Sequence, residues 1–389
     1  MASIIKNFPV VIHQLFFLFV QLLILQIYGI GYSGILAYIG IVSTFIAVLI
    51  NLRWDIEIMV SKSQEIHKSL FDASITIIFM AAVILFLNQT IGSLIPLHIV
   101  LSGIFIAVHE LLVSILFVQK KIYIYSFYRT LPAIALLIFA LSGFSPELIW
   151  PLSFLISATC LIMYFSSLFK KTFTEISFNS IQKIKLIDKF SAAITASVFS
   201  FFSALLVIII GHYFGDDYVG LWSNTIRIFN SLIIFLLGAY LPFTFTIIRN
   251  QDLYEQKIKN FFYLWIFFLP LIFLSLLVVS NFGLYIFSYL ESIDLKVTNT
   301  DLSYIFIVGV AISFIGSTQG LYQAIDRSSA LLYMIILTSF IGFFILNNKV
   351  LSFSSLIEIF LFMIASLATI IIVNLIYLSL FKRGNKKIN

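Results

Sequence analysis

The residues of this chain that could do chemistry stand where water should be scarce. The stretch FYRTLP, 127–132, puts the permanently charged Arg129 inside an apolar run, about 12 Å along a helix from Lys121 at about 1.5 Å per residue. Glu110 lies ten residues before Lys120 on the preceding run, so an antiparallel pair of helices would bring the two to a similar depth. A charge at mid-membrane costs about 2.5–3.5 kcal/mol on insertion scales, which calls for a compensating contact. Two are open and can coexist: an ion pair that pins the helices together, and a hydrated cavity in which the guanidinium fork meets a diphosphate. His109 beside Glu110 makes that pair a candidate for coupling to protons or sodium, since histidine is the side chain that changes charge near neutral pH.

Arg227 stands deeper in its own run, with no acidic residue in the next turns, and is expected to line a cavity or to snorkel toward outer headgroups. Gln14 and Gln21, with Tyr28 seven residues further on, share one helix face and can hydrogen-bond either a neighbouring helix or sugar hydroxyls. The candidate binding residues are therefore Arg129, Arg227, Gln14 and Gln21, and the candidate coupling residues Glu110 and His109. A His-Glu pair falls short of the three or four ligands a zinc site needs, so no metal is expected. No activated nucleophile, general base pair, phosphate loop or cofactor fingerprint is present in the sequence, and the chain does not read as an enzyme.

The elements that must hold these residues follow from composition. Of 389 residues 61% are hydrophobic and 10% charged, with a mean hydropathy of +1.11, far outside the range of soluble domains. Runs such as LIIFLLGAYLPFTFTII are apolar on every side and lack the alternation of a barrel strand, so an all-α polytopic membrane protein is expected. The single cysteine, Cys160, excludes an intrachain disulfide framework. Twelve spans are readable: 8–28, 33–52, 69–88, 95–118, 123–143, 147–169, 189–211, 218–248, 260–280, 301–325, 329–347 and 354–381. The segment before the first has no small-residue cleavage site and reads as part of a retained helix.

With the N-terminus inside, 19 of the 23 lysines and arginines fall in cytoplasmic segments, and only Lys296 and Lys349 fall outside. This asymmetry places both termini in the cytoplasm and explains the net charge of +6 as a topology signal. The basic residues are spread over every inner turn, not gathered on a face that nucleic acid could use. The longest outer loop, 281–300, is too short for the site a membrane glycan polymerase would need.

The polar stretch Lys170 to Lys189 divides the chain into a six-helix bundle over 1–169, a cytoplasmic linker over 170–189 and a second six-helix bundle over 190–389. The halves share a short signal: GYSGILAYIG opens span two and DDYVGLWSNT opens span eight, each reading Tyr-x-Gly-aliphatic, with Tyr32 and Gly34 matched by Tyr218 and Gly220. Many transporters are built from such repeats with the substrate path between them.

The stretch GILAYIGIVSTFIAVLINLRWDIEIMVSKSQE, with its Arg53, Trp54 and Asp55, resembles the second helix and following turn of the polysaccharide flippases, the Wzx-type O-antigen translocases of the multidrug, oligosaccharidyl-lipid and polysaccharide exporter superfamily. FGDDYVGLWSNTIRIF resembles the start of that family's eighth helix and QGLYQAIDRSSALL its tenth cytoplasmic turn. The family's usual tyrosine after the arginine is tryptophan here. The resemblance implies an inner-membrane flippase that carries an undecaprenyl-diphosphate-linked oligosaccharide between leaflets by alternating access, with membrane lipid as a partner, no cofactor and no nucleic acid. A multidrug antiporter of the same superfamily is the alternative.

Overall fold

A computed structural model describes residues 2–52, 54–60, 66–90, 95–166, 204–229, 254–290, 297–324 and 352–381, with isolated positions at 200, 330–331 and 333–336. Every regular element among the described residues is helical. This is what hydrocarbon requires, because a helix satisfies its backbone donors and acceptors within one segment. Eleven helices are used below: α1 (Ala2–Asn51), α2 (Trp54–Val60), α3 (Ile66–Thr90), α4 (Leu97–Val118), α5 (Ile122–Leu141), α6 (Pro146–Tyr164), α7 (Ala204–Phe214), α8 (216–229), α9 (Tyr254–Leu290), α10 (Asn299–Ala324) and α11 (Phe353–Phe381). Among the described residues eight segments are long and apolar enough to cross a membrane, and the chain is a multi-pass membrane protein.

The first two expected spans form one helical run bent at Gly29, whose φ of 82° lies in the left-handed region. The ninth differs from expectation. Helix α9 runs to Leu290, so the first half of the expected outer loop, 281–290, is helical. Asn281, which reads as the first loop residue, and Ser280 before it turn their side chains back onto the helix: Asn281 Nδ2 donates to Leu277 O at 2.8 Å and Ser280 Oγ to the same carbonyl at 3.1 Å. Helix α10 then starts on a reciprocal cap, in which Asp301 Oδ2 accepts from Thr298 N at 2.8 Å and Asp301 N donates to Thr298 Oγ1 at 3.2 Å. The stretch 170–189, the linker of the sequence reading, and most of 329–347 lie outside the described residues.

The chain divides into two compact units, Met1–Leu221 and Trp222–Asn389. In the first, α4 is the central helix, packed against α1, α5 and α6 as well as α2 and α3. Small residues set the approach. A side chain at Gly103 would run into Ile46, and one at Gly40 into the ring of Trp150, while Ser43 Oγ donates to Ile99 O at 3.1 Å across the α1–α4 seam. In the second unit α10 packs against α9 and α11. Trp265 Nε1 donates to Ser317 Oγ at 3.2 Å, and Tyr322, fully buried, donates its hydroxyl to Asn374 Oδ1 at 2.9 Å. Phe267, Phe273 and Phe282 on α9 are exposed, as expected of a face turned to acyl chains.

Candidate functional site

The polar site of the first unit grows from one missing hydrogen-bond donor. Pro132 sits inside α5 and has no backbone N–H, so the carbonyl four residues earlier, that of Tyr128, loses its helical partner. Side chains from two other helices take its place. His109 Nε2 on α4 lies 3.2 Å from Tyr128 O, and Ser157 Oγ on α6 lies 3.4 Å from it. A carbonyl only accepts, so Nε2 carries the proton and donates. The His109 ring is buried and meets Phe154 edge-on, with centroids 5.5 Å apart.

One residue further along each helix lie the charges. Arg129 Nη1 donates to Glu110 Oε1 at 2.5 Å, and His109 Nδ1 stands 3.7 Å from that same oxygen. The guanidinium also lies 5.8 Å from the centre of the Tyr125 ring. About a quarter of the Arg129 and Glu110 side-chain surfaces stays accessible, 25% and 26%, so the pair is not fully enclosed by protein. Of the two readings of Arg129, the structure forms the ion pair, and lining a cavity is compatible with it. Arg129 and Glu110 together carry little net charge.

The other candidates are separate from this cluster. Gln21 is buried on α1, whereas the Gln14 side chain lies outside the described residues. Tyr28, placed by spacing on the glutamine face, donates its hydroxyl to Ala140 O at 2.5 Å at the far end of α5. Arg227 is half-buried on α8, in the second unit, following the buried Ser223, Asn224 and Thr225. Of the Arg53-Trp54-Asp55 stretch, Arg53 lies outside the described residues, Trp54 is buried, and Asp55 Oδ1 accepts from Asn51 Nδ2 at 3.2 Å across the bend at Leu52. Among the described residues no three His, Cys, Asp or Glu side chains gather as a metal site.

The role of His109 as a donor to an orphaned carbonyl was missed from the sequence, although the signal was there. Pro132 within an apolar helix announces a free carbonyl at position 128, and the buried histidine at the depth of Arg129 is the donor that meets it.

No family model matches the chain, and no curated protein matches it. Solved structures do. An outward-facing MATE transporter of the MOP superfamily superposes with a TM-score of 0.68 at 13% identity, covering 97% of this chain and 96% of the other. The MATE multidrug transporter DinF-BH gives 0.66 at 15% identity over 96% and 93%. A MOP superfamily transporter from Pyrococcus furiosus, described as having a binding pocket of reverse polarity, gives 0.61 at 12% identity over 97% and 95%. At these identities the likeness establishes the fold: this is the MATE-transporter architecture, present over nearly the full length of the chain.

Proposed function

We propose that this protein is a secondary transporter that moves an amphiphilic substrate across the membrane by alternating access and makes or breaks no covalent bond. The MATE-like fold over nearly the whole chain is the observation that carries this reading. The substrate line that the solved relatives favour is the multidrug antiporter, and the Arg129–Glu110 pair supports it by removing one of the two cations on which a positive cavity would depend. Glu110 and His109 are then the proposed coupling residues for protons or sodium, because they put an ionisable pair within the span, with Glu110 partly accessible.

Flipping of a lipid-linked oligosaccharide is the second reading. What supports it is the sequence resemblance at Arg53-Trp54-Asp55 and at 214–229, together with Arg227, a second-unit cation for the diphosphate, and the amides of Gln14 and Gln21 for sugar hydroxyls. In this reading the protein works in the inner membrane with both termini cytoplasmic, as the lysine and arginine distribution implies.

One experiment separates the two. The chain is expressed in a strain lacking its major drug exporters and in a strain lacking its O-antigen flippase, and ethidium efflux and surface glycan are measured. The antiporter reading expects efflux that collapses with the proton or sodium gradient and no restored glycan; the flippase reading expects the converse. Neither response, with the protein folded in the membrane, would reject both substrate lines.

A further inference from the structure

The two short matches between the halves are parts of a longer repeat that the structure brings face to face. Residues 28–35 read Tyr-Gly-Ile-Gly-Tyr-Ser-Gly-Ile and residues 214–221 read Phe-Gly-Asp-Asp-Tyr-Val-Gly-Leu: aromatic-Gly-x-x-Tyr-x-Gly-aliphatic in both. The backbone repeats as well. Gly29 and Gly215 have φ of 82° and 92°, and each motif's two aromatic rings pair with each other, Tyr28 with Tyr32 at 4.7 Å and Phe214 with Tyr218 at 5.7 Å.

The second glycines meet. A Cβ on Gly34 would collide with the carbonyl oxygen of Asp216, and a Cβ on Gly220 with the carbonyl oxygen of Ile30. Ile30 and Asp216 occupy the same motif position, so the contact is reciprocal, as about a local two-fold axis. It lies within the first unit, yet α8 continues from it across the boundary at Leu221 into the second. The first turn is tied to α5 and the loop after it by Tyr28 Oη on Ala140 O and by Tyr32 Oη on Phe144 O at 3.2 Å.

We propose that these paired turns are the outer closure of the transport path and that they part when the path opens outward. The inference rests on the transporter reading, and "outer" is the side the lysine and arginine distribution assigns to both turns. The chemistry suits a contact that must break. At Gly34 backbone meets backbone, and at Gly220 the carbonyl and the Cγ1 of Ile30 both approach, so the turns are held there by close packing over small surfaces. The aromatic stacking stays inside each turn and survives separation. Asp216 and Asp217 replace Ile30 and Gly31 in the second copy and set that turn at a wet surface.

The test uses the full chain in native membranes with Cys160→Ala. A Cβ on Gly31 would lie 2.9 Å from Asp217 Oδ1, so Gly31→Cys with Asp217→Cys should form a disulfide on mild oxidation. The cross-linked protein should lose transport, measured as ethidium efflux or surface glycan, and regain it on reduction. In a second arm Val219→Cys, fully buried one residue before Gly220, should resist a membrane-impermeant maleimide, and adding Gly34→Ala should raise its labelling severalfold. Gly316→Ala, with open space around it, should leave labelling unchanged, and gel filtration reports whether each variant is folded. Absence of the cross-link, undiminished transport by cross-linked protein, or equal labelling with and without Gly34→Ala in folded protein would overturn the proposal. The cross-linking and labelling need no substrate, so they hold or fail separately from either substrate reading.

Discussion

Two places in the first unit join helices by opposite means. At the α4–α5–α6 cluster, Glu110, Arg129, His109 and Ser157 join the helices through an ion pair and polar contacts to one carbonyl; at the paired turns, Gly34 and Gly220 let backbone and the Ile30 side chain pack closely. The first kind of joint is costly to open, because separating the ion pair strands a charge in a medium that solvates it poorly. The second is expected to cost less to open, because parting the glycine contacts separates packed surfaces and not an ion pair. On the proposed transporter reading both a rigid body and a seam are needed, and the difference fits α4–α6 as the body and the 28–35 and 214–221 turns as the seam.

That contrast can be broken in graded steps. The largest loss of stability is expected for Glu110→Ala, which leaves Arg129 without its carboxylate. With a quarter of each side chain accessible, the cost should be near about 3 kcal/mol, the low end for a buried pair, read as lowered thermal stability in detergent. The double change Glu110→Leu with Arg129→Met should recover most of it; failure to recover would mean that the charges do more than join helices.

Next come Gly34→Leu and Gly220→Leu. Overpacking costs about 1–3 kcal/mol, and here it should act selectively, shifting the protein toward outward-accessible labelling before it unfolds. Equal loss of fold and of closure would make the seam merely structural. A smaller effect tests the proline account. His109→Ala should cost about 1 kcal/mol in the native chain and less when Pro132→Ala restores the N–H that Tyr128 O lacks. A non-zero coupling in that cycle is the signature, and strict additivity would exclude the orphaned carbonyl as the reason for His109. The smallest effect is expected for Ser43→Ala, which removes one hydrogen bond across a seam already held by Gly103 and Ile46, about 0.5–1 kcal/mol.

How much of this was readable without coordinates differs from residue to residue. The Glu110–Arg129 pair was legible, because equal depth on adjacent antiparallel helices is simple arithmetic on the rise per residue. The His109–Tyr128 contact was not read, because it depends on a donor that is absent, and an absence is easy to overlook in a string of letters. The repeat was half legible. Tyr-x-Gly stood out, but Gly29 and Gly215 matter through the sign of φ, and Tyr28 and Phe214 through ring pairing, neither of which has a hydropathy signature. The far end of α9 was misread because Asn281 and Gly283 look like loop residues; Asn281 bonds back to its own helix, and Gly283 faces Leu302 of α10 where a side chain would be tight.

The measurement closest to the centre of the account is the separation of the two turns in membranes. Spin labels on the exposed positions Ile27 and Tyr213, with Cys160→Ala, would report it by pulsed electron spin resonance in lipid nanodiscs. The account predicts two populations, a short distance matching the glycine contact and a longer one that disappears when Gly31→Cys and Asp217→Cys are disulfide-linked in a version carrying non-cysteine spin labels. A single short distance under every ion gradient and substrate condition would contradict it.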